Sequence, residues 1–286
     1  MATRSMIGLD WGNTSIKAIK VIFEGKRAIL EAAMESGLDG EPWEEAMRYV
    51  LESLGIRGNL PVCATLPSRL ITSGKSLMPP IGISDIKKAL RWELAQYVST
   101  NGQEITYDFA VVGNSAANGE REVVWAATRT ALVKQLYSFL AKLKLRLIAV
   151  EVSPFPLLRL ESPRNTKVLL ADLGSSQHTL CLVEGGIPLM LASFDRRQVR
   201  SLLASSAIAF GARGVRTELY GGGALDSGNR EFYSQTLGST VSASGVPFSE
   251  GLVAGLIAPE YLVEGRAALL PQFAMALGLA LKGWRR

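Results

Sequence analysis

An α/β fold made of two similar halves, with a small α+β subdomain inserted in the first, is what this sequence predicts, and three observations predict it. The first is Ile7-Gly8-Leu9-Asp10-Trp11-Gly12-Asn13-Thr14-Ser15-Ile16-Lys17, an apolar strand that enters a tight polar turn and returns. The second is its repetition in Leu169-Leu170-Ala171-Asp172-Leu173-Gly174-Ser175-Ser176-Gln177-His178-Thr179-Leu180; both hairpins turn again at Glu-Gly, as Glu24-Gly25 and Glu184-Gly185. The third is the glycine cluster Gly221-Gly222-Gly223 at the end of another apolar run. A repeated hairpin that presents one Asp per copy implies duplication, with a cleft between the halves.

Each loop has a chemical reading. Asp10, closing a buried strand, can face a cation through its water shell, because Mg2+ keeps most of its waters and takes only one or two carboxylates. Gly12 allows a sharp turn and close approach. Amides from Gly12 through Asn13 and Thr14 to Ser15 form a candidate anion nest, and Lys17 returns to the same mouth. Asp172, Gly174, Ser175 and Ser176 repeat the arrangement. Gly221, Gly222 and Gly223 offer bare backbone to a flat adenine or ribose. Asp10 and Asp172 are the candidate metal carboxylates. Either hairpin taken alone also fits an ordinary strand–turn–strand.

Composition bounds the rest. The chain has 286 residues, enough for two domains or one bilobal unit, with 48% apolar and 20% charged residues. Its net charge of +5 permits attraction to phosphates or an anionic membrane, but no basic block interleaved with aromatics points to nucleic acid. Cys63 and Cys181 lie far apart in apolar runs, which implies neither a metal site nor a disulfide and fits a reducing cytoplasm. No signal-like core precedes Asp10, and Pro271 and Gln272 interrupt the C-terminal apolar stretch, so no membrane span is expected. His178 is the single histidine, and no nucleophile elbow accompanies it.

In chain order, the first hairpin covers roughly residues 6 to 35. Pro42 to Leu54 places Trp43, Met47, Val50, Leu51 and Leu54 on one face of a core helix. From Leu60 to Val124 short strands surround one helix: strands at 61–66 and 73–78 are bounded by Pro67, Pro79 and Pro80, Ser84 and Asp85 cap a helix from Ile86 to Val98, and a strand at 105–112 leads to a polar turn at 114–120. This block, about 60–125, is the expected inserted subdomain. A strand at 123–127, a helix at 131–143 and a strand at 145–150 continue a layered sheet. Glu151 then reads as a solvated or helix-capping carboxylate, with a place on the wall of the cleft as the alternative. Pro271 opens a helix whose Ala274, Ala276, Gly278 and Ala280 allow close packing as it crosses back beneath the glycine cluster.

Read together, these residues are similar to the actin, Hsp70 and sugar-kinase superfamily, and within it they resemble the PilM family of type IV pilus assembly, relatives of the division protein FtsA. Ile7-Gly8-Leu9-Asp10 with Ser15-Ile16-Lys17-Ala18, Ala171-Asp172-Leu173-Gly174 and Gly221-Gly222-Gly223-Ala224 carry the superfamily likeness. Leu90-Arg91-Trp92-Glu93 with Gln96-Tyr97 is the most family-specific part. Tyr107-Asp108-Phe109, Ala126-Ala127-Thr128-Arg129, Val150-Glu151 with Pro154-Phe155, and Ala276-Leu277-Gly278-Leu279-Ala280 complete it. The resemblance implies an actin-like, ribonuclease H-like duplicated bilobal fold, with a first lobe at 1–155 and a second at 156–286. It also implies ATP and Mg2+ between the lobes, and a groove between the first lobe and the inserted block that holds the cytoplasmic N-terminal tail of a PilN-like membrane protein. Two departures stand out: the segment 195–216 is short where the family inserts a subdomain over the nucleoside, and in the second phosphate loop His178 stands where the family has a small hydroxyl residue.

The function implied is a cytoplasmic scaffold, peripheral at the inner membrane through its partners, which include the PilN-like protein and the pilus motor ATPase. With the lid missing, negligible ATP turnover is expected. The alternative is an ATP-hydrolysing enzyme or small-molecule kinase of the same superfamily, with Asp10 and Asp172 on metal and water and Lys17 on phosphate. A relative of the cytoplasmic part of the type II secretion protein GspL is a third reading. Lys282, Trp284, Arg285 and Arg286 are candidate contacts to anionic lipid.

Overall fold

The computed structural model describes residues 4–56, 58–97, 104–114, 119–161, 167–206, 211–243, 245–247, 252–255, 257–264, 268–282 and 284. The apolar runs on either side of the first Asp-x-Gly turn become β1 (Arg4–Trp11) and β2 (Ser15–Glu24), and β3 (Arg27–Gly37) completes an antiparallel meander. α1 (Trp43–Ser53) then crosses over the sheet with Ala46, Met47, Val50 and Leu51 buried. Its Trp43 stacks on Trp11 at 4.2 Å and meets Phe139 edge-on at 5.2 Å. The crossing brings β4 (Pro61–Thr65) parallel to β1.

β5 (Thr72–Met78), α2 (Ile83–Tyr97), β6 (Ile105–Asn114) and β7 (Arg121–Arg129) make a separate unit, a three-stranded sheet of order β5-β7-β6 packed on Ile86, Leu90 and Leu94 of the helix. α3 (Thr130–Lys142) returns the chain to β8 (Arg146–Val150), which lies parallel to β4. The separate sheet therefore starts after Thr65 and not near residue 60, because β4 belongs to the first sheet. α2 also starts earlier than the capping pattern suggested. The Gly82 carbonyl accepts the Asp85 and Ile86 amides, so Ser84 and Asp85 sit in the first turn. Val98 of the expected apolar stripe, and 115–118 of the expected polar turn, lie outside the described residues.

The second half repeats the first. β9 (Lys167–Leu173), β10 (Gln177–Glu184) and β11 (Ile187–Asp195) form a meander. α4 (Val199–Ser206) leads to β12 (Arg216–Tyr220), parallel to β9, and α5 (Ser227–Leu237) leads to β13 (Val241–Ser242), parallel to β12. The sheet orders β3-β2-β1-β4-β8 and β11-β10-β9-β12-β13 are the same path traced twice.

The halves are not independent. β14 (Val246–Pro247) pairs with β16 (Ala268–Leu269), but between them β15 (Leu252–Ala254) lies parallel to β3 and becomes the sixth strand of the first sheet. α6 (Ala274–Ala280) is buried at every residue and packs on β1. Small residues make that approach possible. A Cβ on Gly8 would lie 1.8 Å from the Ala276 carbonyl oxygen, and one on Gly278 2.3 Å from that of Pro156. One apolar core thus joins Met6 and Leu30 of the first half, Leu170 and Cys181 of the second, and Leu277 of α6.

Candidate functional site

The parallel pairing of β1 with β4 sets Asp10 opposite Thr65, whose hydroxyl donates to Asp10 Oδ1 at 2.9 Å. Burial raises the Asp10 carboxyl above its ordinary range; the Lys17 charge and the Thr65 hydrogen bond pull it back, and Glu35 adds to the rise. Lys17 is held by its neighbours, with Nζ 3.2 Å from Glu35 Oε1 and donating to Ser15 Oγ at 2.7 Å. In the second half Asp172 lies opposite Tyr220, and the Ser153 hydroxyl donates to Asp172 Oδ2. Burial pushes Asp172 up to about 6; the Ser153 bond opposes this, the Asp10 charge adds to it, and Lys17 opposes it.

Neither turn leaves room for a side chain at its glycine. The Gly12 amide donates to the Ser15 carbonyl at 3.0 Å, and a Cβ on Gly12 would stand 2.9 Å from that oxygen; one on Gly174 would stand 2.9 Å from the Gln177 oxygen. The Gly12 amide is therefore spent inside the turn and is not part of an anion nest. Asn13 Nδ2 donates to Ser68 Oγ at 3.0 Å and to Ser176 Oγ at 2.7 Å, tying the two loops together across the cleft. Asn13 Oδ1 is buried without a protein partner.

Two of the three clustered glycines are needed for packing. Gly221 has φ +80°, and its Cβ would meet Asp172 Oδ1 and the Leu173 carbonyl at 2.8 Å; a Gly223 Cβ would meet Leu173 at 2.9 Å. Only Gly222 faces open space. Beyond them Asp226 caps α5 by accepting the Gly228 amide at 2.8 Å.

These parts enclose a cavity of about 380 Å³ whose wall includes Asp10, Gly12, Asn13, Thr14, Ser15, Lys17, Asp172, Gly174, Ser175, Gly221, Gly222 and Gly223. Ser176 is absent from the wall and serves the tie to Asn13. Glu35, Thr65, Ser68, Ser153, Arg196 and Gln272 also line the cavity and were not anticipated. Thr65 and Glu35 were reachable from strand register, since they face Asp10 and Lys17 on neighbouring strands. The size suits a small ligand, for which pockets run to about 300–1,000 Å³. Among the described residues no group of three His, Cys, Asp or Glu side chains could hold a metal. A cation here would draw on the two aspartates, a donor set that fits hydrated Mg2+ carrying phosphate oxygens.

Three sequence readings need correction. His178 does not face the loop: it is 1% exposed, with Nδ1 3.0 Å from the Tyr233 hydroxyl, and burial holds its pKa down at about 4. Glu151 is neither solvated nor a cap. It binds Arg159 through both oxygens at 2.7 and 2.8 Å and accepts from Lys282. Burial opposes its ionisation, yet the hydrogen bonds and charges of Arg159 and Lys282 hold its carboxyl below the ordinary range. Lys282 is therefore committed to an internal ion pair, and Trp284 packs against the core. Arg285 and Arg286 lie outside the described residues.

A second concave region runs between the two sheets of the first half. Among the described residues β8 has no strand on its outer edge, and β6 is likewise an outer strand. Between them lie adjoining cavities of about 430 and 550 Å³ that share Asp108, Ala126, Ala149, Val150 and Val152. The first is lined chiefly by aliphatic side chains, and the second ends at Glu151, Arg159 and Lys282.

No protein-family model matches the chain. Among solved structures it is similar to a chain of the PilM–PilN type IV pilus biogenesis complex, with a TM-score of 0.76 and 19% identity over 98% of this chain and 99% of the other. It is also similar to the cytoplasmic domain of EpsL, an inner-membrane component of the type II secretion system of Vibrio cholerae, with a TM-score of 0.58 and 10% identity over 98% and 95% of the chains. A Bacteroides thetaiotaomicron protein with an actin-like ATPase fold follows at 0.52 and 11% identity, over 84% and 91%. The fold is actin-like, as the repeated sheets imply.

Proposed function

We propose that this chain is an actin-like scaffold of a type IV pilus or related secretion assembly, and that the groove between β8 and β6 receives an extended N-terminal cytoplasmic segment of a PilN-like inner-membrane protein. The observation that carries this reading is the groove itself: an unpaired parallel strand edge beside aliphatic cavities. Such an edge offers a row of backbone donors and acceptors, and the cavities offer anchor sites for alternate side chains, the two requirements of strand addition. The full-length likeness to a chain of a pilus biogenesis complex supports the choice of partner. Held by that segment, the chain sits at the cytoplasmic face of the inner membrane and leaves its other faces for the pilus motor ATPase. Its two lobes, 1–155 and 156–286, are the units that the partner and the cleft ligand would bias.

The cleft is the proposed seat of ATP and Mg2+. Asp10 and Asp172 would hold the hydrated cation, Lys17, Ser15 and Ser175 would meet phosphate oxygens, and Gly222 would lie against the nucleoside. Bound magnesium would neutralise phosphate charge there. Between β11 and β12 only α4 and short turns stand among the described residues, too little to cover an adenine. Poor exclusion of water keeps turnover negligible.

A second reading, a working ATPase or kinase, is favoured by the place of Asp172: it lines the cleft, and burial pushes its carboxyl up to about 6, in the range where a carboxylate serves as a general base. Calorimetry with the synthetic N-terminal segment of a PilN-like protein tests the first reading. Binding is expected in the micromolar range and is expected to vanish in Ala149→Arg, which fills the groove; no heat at high micromolar concentration rejects it. Magnesium-dependent ATP hydrolysis that Asp10→Ala and Asp172→Ala both abolish would instead establish the enzyme.

A further inference from the structure

The stretch 130–150 carries Lys134, Lys142, Lys144 and Arg146 and no Asp or Glu. In the fold it becomes α3, its terminal turn and β8, three consecutive pieces of chain. Lys134 is paired with Glu104 at 3.4 Å. Lys142, Lys144 and Arg146 are exposed. Beside them Tyr137 is 59% and Ile148 39% exposed. Glu44 of α1 shares a shallow depression with Lys134 and Lys142.

Helix electrostatics explain only part of this cluster. A cation in the last turn, such as Lys142, meets the negative end of the helix dipole. Lys144 lies beyond that turn. The Leu145 amide donates to the Leu140 carbonyl and the Lys144 amide to that of Ala141, which places Lys144 at the left-handed position of a Schellman cap, with φ 59°. Glycine is the usual residue there because it escapes the Cβ penalty. Here a lysine occupies it and keeps a positive charge at the cost of backbone strain. Val133, Leu147 and Ile148 of the same elements also line the groove between the sheets.

We propose that the face formed by the end of α3 and the start of β8 rests on an anionic phospholipid surface, with Lys142, Lys144 and Arg146 on the headgroups and Tyr137 and Ile148 at the interface. Basic side chains are drawn to such a surface by its negative potential, and Tyr favours the headgroup level. This inference does not depend on the partner segment, since it concerns the chain alone on lipid.

The test is sedimentation of the full chain with phosphatidylcholine vesicles, with and without phosphatidylglycerol. Binding is expected only with phosphatidylglycerol and is expected to weaken as salt rises. Each charge removed should lower partition about fivefold, so Lys142→Gln, Lys144→Gly and Arg146→Gln together should lower it about a hundredfold. Lys144→Gly alone separates lipid contact from folding: it is expected to hold or raise the melting temperature while weakening vesicle binding. Equal sedimentation of wild type and triple variant overturns the proposal. So does binding to short duplex DNA with no response to phosphatidylglycerol.

Discussion

Asp10 and Asp172 occupy the same point in two sheets of the same strand order, yet their surroundings differ in kind. Opposite each other on β2 and β3, Lys17 and Glu35 form an ion pair beside Asp10. The corresponding pair on β10 and β11 is Thr179 and Ser193, hydroxyl to hydroxyl at 3.1 Å. One position further back along the hairpin, Ile16 of the first half answers to His178 of the second, and two residues before each Asp, Gly8 answers to Leu170. Duplication has preserved the backbone path and the tight glycine of the Asp-x-Gly turn, while charge and packing have diverged. The first hairpin carries the cation and accepts the crossing helix; the second carries a buried acid with no cation of its own strand pair, and a buried histidine.

The largest break in this comparison is expected from making the halves alike at Gly8. Gly8→Leu, which copies the residue of the second half, should expel α6 and yield no soluble chain. Gly8→Ala should already lose about 3 kcal/mol or more, because overpacking against backbone cannot relax. An unchanged urea midpoint for Gly8→Ala would show that α6 does not pack as described.

The next effect is on pH dependence. The folded Asp172 has its carboxyl raised from 3.8 to about 6, so its native form binds the extra proton and its contribution to stability falls as pH rises from about 4 to 6. His178 is lowered from 6.5 to about 4, so the unfolded chain binds the extra proton and its contribution falls as pH drops from 6.5 to about 4. Each is worth on the order of 3 kcal/mol, and the two slopes oppose one another over nearly the same window. Asp172→Asn should therefore stabilise the chain at pH 7 and leave a profile that declines toward acid. His178→Ile should leave one that declines toward neutrality. Melting temperatures of the three proteins between pH 4 and 7 decide this, and parallel profiles would remove the argument. The smallest effect is expected at the tie between the loops: Asn13→Ala should cost about 1–2 kcal/mol, and a double-mutant cycle with Ser176→Ala should show coupling between residues far apart in sequence.

The repeated hairpin was legible because Asp-x-Gly followed by polar residues between two apolar runs specifies a strand, a closed turn and a return strand with purely local chemistry. α1 and α3 were legible from apolar spacing. What escaped was set by tertiary contact. β15 is three residues that become a strand only because β3 offers an edge, and α2 begins at a glycine carbonyl that no capping pattern signals. Ser153 and Arg196 reach the cleft from segments whose local sequence names no site. Glu151 was misread because its partners Arg159 and Lys282 come from two other segments, one of them near the far end of the chain.

The return of β15 and α6 to the first sheet also sets a timetable for synthesis. Residues 4–37 emerge from the ribosome early with β3 as an open edge and the face of β1 around Gly8 bare, and neither can be covered until residues 252–254 and 274–280 have followed. At about 5–20 residues per second that delay is on the order of tens of seconds. Throughout it an exposed strand edge remains free to pair with any other chain, and a product interrupted before residue 252 retains an open first sheet that nothing later in its own sequence can close.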